Sequence, residues 1–211
     1  EAAWRIALSY YNMKRYEEAV AALEKLVADY GKRADLDQVP QAKILLGSCY
    51  FDQQKYEQAI EAWKKYLAEH PNHSGWSEVS SRIIDAEYAI AKNLLDKKKY
   101  TEAADEFEKF LDRHPLDNRA GDAMYALGDI QYRQDKFKDA ISLWEKLISK
   151  YPDLERASYA QLMTGEIYEK KFGDPEAAYA VYEKIAGAYR DDAKARMQQM
   201  KKKQLSALTE R

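Results

Sequence analysis

The chain has 211 residues, with 34 Lys or Arg against 36 Asp or Glu and a net charge of -2. That near balance removes the polyelectrolyte attraction that draws basic proteins to nucleic acid or anionic lipid, and no uncharged apolar stretch reaches the roughly 18 residues of a membrane helix. With 8 Gly and 5 Pro, about half the usual share or less, little chain is left for the turns of a β-sandwich or barrel; the single Cys excludes an intramolecular disulfide and a multi-thiolate metal site.

Along the chain one phrase recurs: an aromatic, two residues, Ala, three residues, a large apolar residue. It reads Tyr16, Ala19, Leu23; then Tyr56, Ala59, Trp63; then Tyr100, Ala103, Phe107; then Phe137, Ala140, Trp144. A fifth copy, Pro175, Ala178, Tyr182, has Pro in the aromatic place. Twelve residues after the Ala stand the breakers Gly31, Pro71, Pro115 and Pro152, with Arg190 in the degenerate fifth copy. Twelve residues before it stands a small anchor, Ala7, Gly47, Ala91 or Gly128, and in the fifth copy Gly165, one residue further back. Apolar residues between anchor and breaker follow helical spacing, and proline ends a helix and disfavours helical geometry in the residue before it. Each unit therefore reads as an antiparallel helix pair whose small residues let the two rods lie close.

The expected arrangement is five pairs, at about 1–31, 38–71, 76–115, 118–152 and 154–190, followed by a helix at 191–211. The longest insert, which includes Asn72 to Trp76, precedes what should be the longest of the paired helices, near Ser77 to Lys97. In the final helix Ala193, Met197, Met200 and Leu208 share a stripe, the pattern of a cap over the apolar face of a terminal unit. No comparable cap precedes Ala2, Ala3 and Ile6, and the chain opens Glu-Ala-Ala without Met, so it is expected to be processed or part of a longer protein.

Leu46-Gly47-x-x-Tyr50 with Ala59, Trp63 and Pro71 resembles a tetratricopeptide repeat, the helix–turn–helix with signature L-G-x-x-Y, A-x-x-x-F, P. Leu127-Gly128 with Ala140, Trp144 and Pro152 matches as well, with Gln131 in the Tyr place. The Ala positions advance by 40, 44, 37 and 38 residues rather than about 34, so the connections or first helices are longer than in the standard repeat. The resemblance implies an all-α solenoid, a right-handed superhelix of these pairs whose first helices line a concave groove. The run Phe110 to Pro115, followed by Arg119-Ala120 to Gly128, is similar to repeats of bacterial cell-envelope scaffolds, among them the outer-membrane assembly lipoprotein and the Tol-Pal coordinator. Periplasm is the compartment this favours, with cytoplasm as the alternative.

No catalytic constellation emerges. His70 and His114 occupy one repeat slot, filled elsewhere by Tyr30 and Tyr151, and read as packing residues. His70 and His73 flank Pro71 and so do not share a helix face as a metal pair would. Cys49 lies mid-helix two residues after Gly47 and reads as an unreactive thiol. There is no glycine-rich phosphate loop, and Lys97-Lys98-Lys99 reads as a basic helix end rather than a nucleic-acid patch. The chain is expected to be no enzyme and to need no cofactor or metal.

What remains is surface. The groove-facing slots implied by the family lie three before the anchor and one and four after it. They carry Trp4, Leu8 and Tyr11; Ile44, Ser48 and Phe51; Tyr88, Lys92 and Leu95; Tyr125, Asp129 and Tyr132; and Leu162, Glu166 and Glu169. The candidate groove is Trp4, Leu8, Tyr11, Ile44, Phe51, Tyr88, Leu95, Tyr125, Tyr132 and Leu162, aromatic and aliphatic places that packing within a pair is not expected to require. The expected partner is a protein, peptide or helix, with no nucleic acid and no membrane insertion by this segment. A carboxylate clamp needs Lys and Asn at several of these slots, but the places three before the anchor are apolar and those one after it read Leu8, Ser48, Lys92, Asp129 and Glu166, so chaperone-type acidic tails are expected not to bind. The competing expectation is a structural or spacer segment of a larger protein with no free ligand.

Overall fold

A computed structural model describes residues 2–31 and 38–209. Among them all regular structure is helical: α1 (Ala2–Asn12) and α2 (Tyr16–Tyr30), α3 (Gln38–Asp52) and α4 (Tyr56–Glu69), α5 (Trp76–Asp96) and α6 (Tyr100–Arg113), α7 (Ala120–Arg133) and α8 (Phe137–Lys150), α9 (Glu155–Ile167) and α10 (Pro175–Glu183), then α11 (Arg190–Thr209). A π-helical stretch, Tyr168–Phe172, prolongs α9, and a 3-10 turn, Gly187–Tyr189, leads into α11. The fold is thus the all-α solenoid that the repeat implied. The chain divides into two compact units, 1–106 and 107–211.

Helix ends follow local chemistry. His70 and Tyr151, each before a proline, cap α4 and α8 with φ/ψ of -132/58 and -133/60, because the following ring excludes the helical conformation. The insert expected to precede the longest paired helix does so, since α5 has 21 residues. Pro175 replaces the aromatic of the phrase yet starts α10 well: Asp174 is its N-cap, accepting from the Ala177 N–H at 2.9 Å, and proline at the first helical position loses no hydrogen bond.

The core lies between successive helices. In the first unit Ala7, Ala19, Leu23 and Leu26 pack with Val39, Ala42 and Cys49, and Ala59, Trp63 and Tyr66 pack with Val79, Ile83 and Ala86. In the second unit Ala140, Trp144 and Leu147 pack with Ala157, Ala160 and Ile167. Ala42, Ala86 and Ala160 stand five residues before their anchors and are fully buried. This second row of small side chains lets the preceding helix pair approach closely.

The cap behaves as the stripe implied. Ala193 and Met200 of α11 are buried with Leu162, Tyr182 and Ile185, and Met197 packs beside them. The Leu208 side chain lies outside the described residues. Arg196 pairs with Glu166, and Lys203 stands 4.0 Å from Glu169, so α11 adds charge pairing to apolar cover.

Candidate partner-binding groove

Within the first unit, Trp4, Leu8 and Tyr11 on α1, Ile44 and Phe51 on α3, and Tyr88 and Leu95 on α5 are all half-buried. Each keeps an outer edge in solvent while its inner edge packs. Tyr11 lies 5.8 Å from Tyr16, ring centre to ring centre, and Phe51 lies 5.2 Å from Tyr56 and 5.9 Å from Trp63. The Tyr11 hydroxyl donates to Asp52 at 2.8 Å, tying α1 to α3. Burial, then the Asp52 carboxylate, pushes this phenol up to about 12, so it is a neutral donor at ordinary pH.

Ser48 is buried, not groove-facing. Its hydroxyl donates to the Ile44 carbonyl at 3.3 Å and accepts from Arg82 at 3.2 Å. The Trp63 indole N–H donates to that same carbonyl at 3.0 Å. Ile44 therefore serves the core through its backbone while its side chain stays half exposed.

In the second unit Tyr125 and Tyr132 are likewise half-buried. Tyr125 stacks on Trp144 at 6.2 Å with planes 16° apart, and Tyr132 lies 5.6 Å from Phe137 and 6.1 Å from Trp144. The expectation that these slots are not required for packing within a pair is therefore corrected. The residue four after the anchor lands over the aromatic that opens the second helix, as in Tyr11 with Tyr16, Phe51 with Tyr56 and Tyr132 with Phe137.

Leu162 also departs from its expected place. At 5% exposure it is buried with residues of α10 and α11, because the terminal helix covers the side of α9 that other units leave open. Glu166 and Glu169 are engaged as well: Glu166 by Lys170 at 2.9 Å and by Arg196, Glu169 by the Tyr182 hydroxyl at 3.2 Å.

Tyr125 opens onto a hollow of about 330 Å³ lined also by Glu155, Arg156, Tyr159 and Tyr189. Its ring lies 6.0 Å from Tyr159, which lies 5.1 Å from Tyr189, so three tyrosines from α7, α9 and the turn before α11 form a row. The Arg156 guanidinium stands 5.2 Å over Tyr125 and pairs with Asp122. Burial raises the Tyr125 phenol well above its ordinary value.

The slot pattern does not contain Arg156, Tyr159 or Tyr189. Arg156 carries a signal nonetheless, since Arg82, Arg119 and Arg156 each stand nine residues before an anchor. Arg82 reaches Ser48, and Arg119 binds Asp117 at 2.8 Å while lying 5.6 Å over Phe110. Tyr189 carries one too: it stands one residue before the breaker slot, the place held elsewhere by Tyr30, His70, His114 and Tyr151.

Reactive chemistry is poorly served. Cys49 has no exposed surface, and burial followed by the Asp52 charge pushes its thiol up to about 12, so little thiolate forms. The Gly75 N–H donates to His73 Nδ1 at 3.1 Å, which leaves that nitrogen unprotonated and accepting from the Tyr66 hydroxyl at 2.7 Å. His70 Nε2 lies 3.1 Å from Lys43 Nζ, and burial with that neighbouring charge lowers its proton affinity. His114 packs 5.3 Å from Phe110. Among the described residues no three His, Cys, Asp or Glu are placed to hold a metal ion, and no helix is long and apolar enough to cross a membrane.

The tetratricopeptide repeat family model matches residues 5–74, 88–154 and 125–193. Similar solved structures include a crystal structure of MamA, 21% identical over 90% of this chain and 97% of that one, TM-score 0.48. Another is MamA from Desulfovibrio magneticus RS-1, 21% identical over 85% and 92%, TM-score 0.45. A third is the Rap conjugation gene regulator of plasmid pLS20 in complex with the Phr* peptide, 16% identical over 93% of this chain and 56% of that one, TM-score 0.47. No curated protein matches.

Proposed function

We propose that this chain, which belongs to the tetratricopeptide repeat family, is a non-enzymatic scaffold that holds a partner peptide or helix against the faces of its first helices. The observation that carries this reading is the recurrence of half-buried aromatic and aliphatic side chains at equivalent slots within each unit, as at Tyr11, Phe51, Tyr125 and Tyr132. Their inner edges are clamped by the second helices, so their outer edges are preset in position. Rigid aromatic anchors of this kind give contact area at small entropic cost.

Placement in a bacterial cell envelope belongs to the same proposal and rests on the phrase from Phe110 to Gly128; fractionation of cells carrying the full-length protein tests it. The competing reading, a spacer that uses its aromatic residues for its own packing, is favoured by the contacts of Tyr125 and Tyr132 with Trp144.

A partner captured by cross-linking and identified by mass spectrometry allows the two to be separated by calorimetry. Tyr88→Arg and Leu95→Arg, which alter outer edges, should each weaken binding by at least about tenfold, or 1.4 kcal/mol, with helicity intact. The Tyr125→Ala and Tyr132→Ala pair should do so with little loss of helical signal. A chaperone-type acidic tail should give no heat. Unchanged affinity in the arginine variants, with stability lost in the alanine pair, establishes the spacer instead.

A further inference from the structure

We infer that the hollow between α7, α9 and the turn before α11 receives a cationic side chain, a guanidinium or an ammonium group, presented by the partner. The inference rests on the partner-binding reading above and names the chemistry favoured at one place in it. Three tyrosine rings line the hollow, and the face of an aromatic ring carries negative electrostatic potential that attracts cations. The protein already uses that attraction here, holding its own Arg156 over Tyr125.

Charge decides the sign of what can join it. Arg156 is neutralised by Asp122, whereas Glu155, the carboxylate lining the hollow, has no hydrogen-bond or ion-pair partner among the described residues. The side-chain charges of Glu155, Arg156 and Asp122 therefore sum to a net negative, set beside the rings of Tyr159 and Tyr189. A volume of about 330 Å³ lies at the small end of ligand sites and suits one side chain rather than a cofactor. An acidic group would meet Glu155, and a neutral isostere would forgo both attractions.

The test uses the whole chain carrying carbon-13 in its tyrosine rings, titrated with four blocked amino acids: N-acetyl-arginine amide, N-acetyl-trimethyllysine amide, N-acetyl-citrulline amide and N-acetyl-glutamate amide. Either cation should shift the Tyr125, Tyr159 and Tyr189 ring signals saturably, with citrulline, nearly isosteric with arginine but uncharged, at least about fivefold weaker. The stronger of the two cations identifies the group the hollow takes. Glu155→Gln, a surface change, should bring the cations to the citrulline level, while Tyr189→Phe keeps them tight. Equal binding of arginine and citrulline, preference for glutamate, or no saturable shift overturns the inference. Such failure leaves the scaffold reading standing if the captured partner still loses affinity in Tyr88→Arg, and the two fall separately.

Discussion

At Gly128 a methyl group would overlap the Trp144 indole, at Gly47 the Trp63 indole, and at Gly165 the Tyr182 ring. Where the anchor is Ala7 instead, the facing residue is the smaller Leu23, buried in the same cluster. Anchor and filler thus vary in size together within one chain, as close packing requires. Trp144 is further fixed by its indole N–H donating to the Tyr125 carbonyl at 3.3 Å. Gly128→Ala should therefore destabilise by about 1–3 kcal/mol through overpacking, although alanine is the better helix former by up to about 1 kcal/mol. Trp144→Phe alone leaves a void, and the double variant should be more stable than the sum of the two losses implies. Urea titration of the four proteins measures this coupling, and strict additivity would show that the pair is not packed as described.

The turn inside each helix pair uses one residue in the left-handed region: Lys14, Gln54, Lys98 and Asp135, with φ of 59, 60, 59 and 58°, and in the fifth pair Gly173 at 64°. In the first four its N–H donates to the carbonyl of the slot four after the anchor, for example Gln54 to Phe51 at 2.8 Å. The next N–H donates one residue further back, as Lys55 to Tyr50 at 2.9 Å. This geometry satisfies carbonyls that the helix end leaves open, but it costs an L-residue about 1 kcal/mol that glycine escapes. Gln54→Gly should thus raise stability by about 0.5 kcal/mol once the added freedom of the unfolded chain is subtracted, and Gly173→Ala should lower it by a similar amount. Thermal melts of both variants check the pair of signs. Asp135 and Gly173 are residue types that tolerate the left-handed region, whereas Lys14, Gln54 and Lys98 are not turn residues by habit, and there only the spacing to the following aromatic locates the turn.

For the molecule as a whole, α11 is what keeps the last pair dry. It covers Leu162, Tyr182 and Ile185, three side chains whose burial is worth roughly 1.5–3 kcal/mol each. A chain ending at Tyr189 should lose amide protection in α9 and α10 and bind hydrophobic dyes, while α1 to α4 exchange as before, because in a repeat array each unit answers chiefly to its neighbours. Hydrogen exchange read by mass spectrometry decides it, and unchanged protection in α9 would mean that the cap carries no stability.

The all-α array of helix pairs was legible in the amino-acid order, because a small residue, a filler and a breaker at set distances dictate where two rods can touch. The destination of a side chain on the outer face was not. Leu162 and Tyr125 occupy the same slot, yet one is sealed beneath α11 and the other opens onto a hollow with Tyr159 and Tyr189. Position along a helix sets only the direction in which a side chain leaves the axis. Whether it meets water, a ring or a carboxylate depends on which later element comes to lie beside it, and that was decided by the packing of α10, α11 and the turn between them.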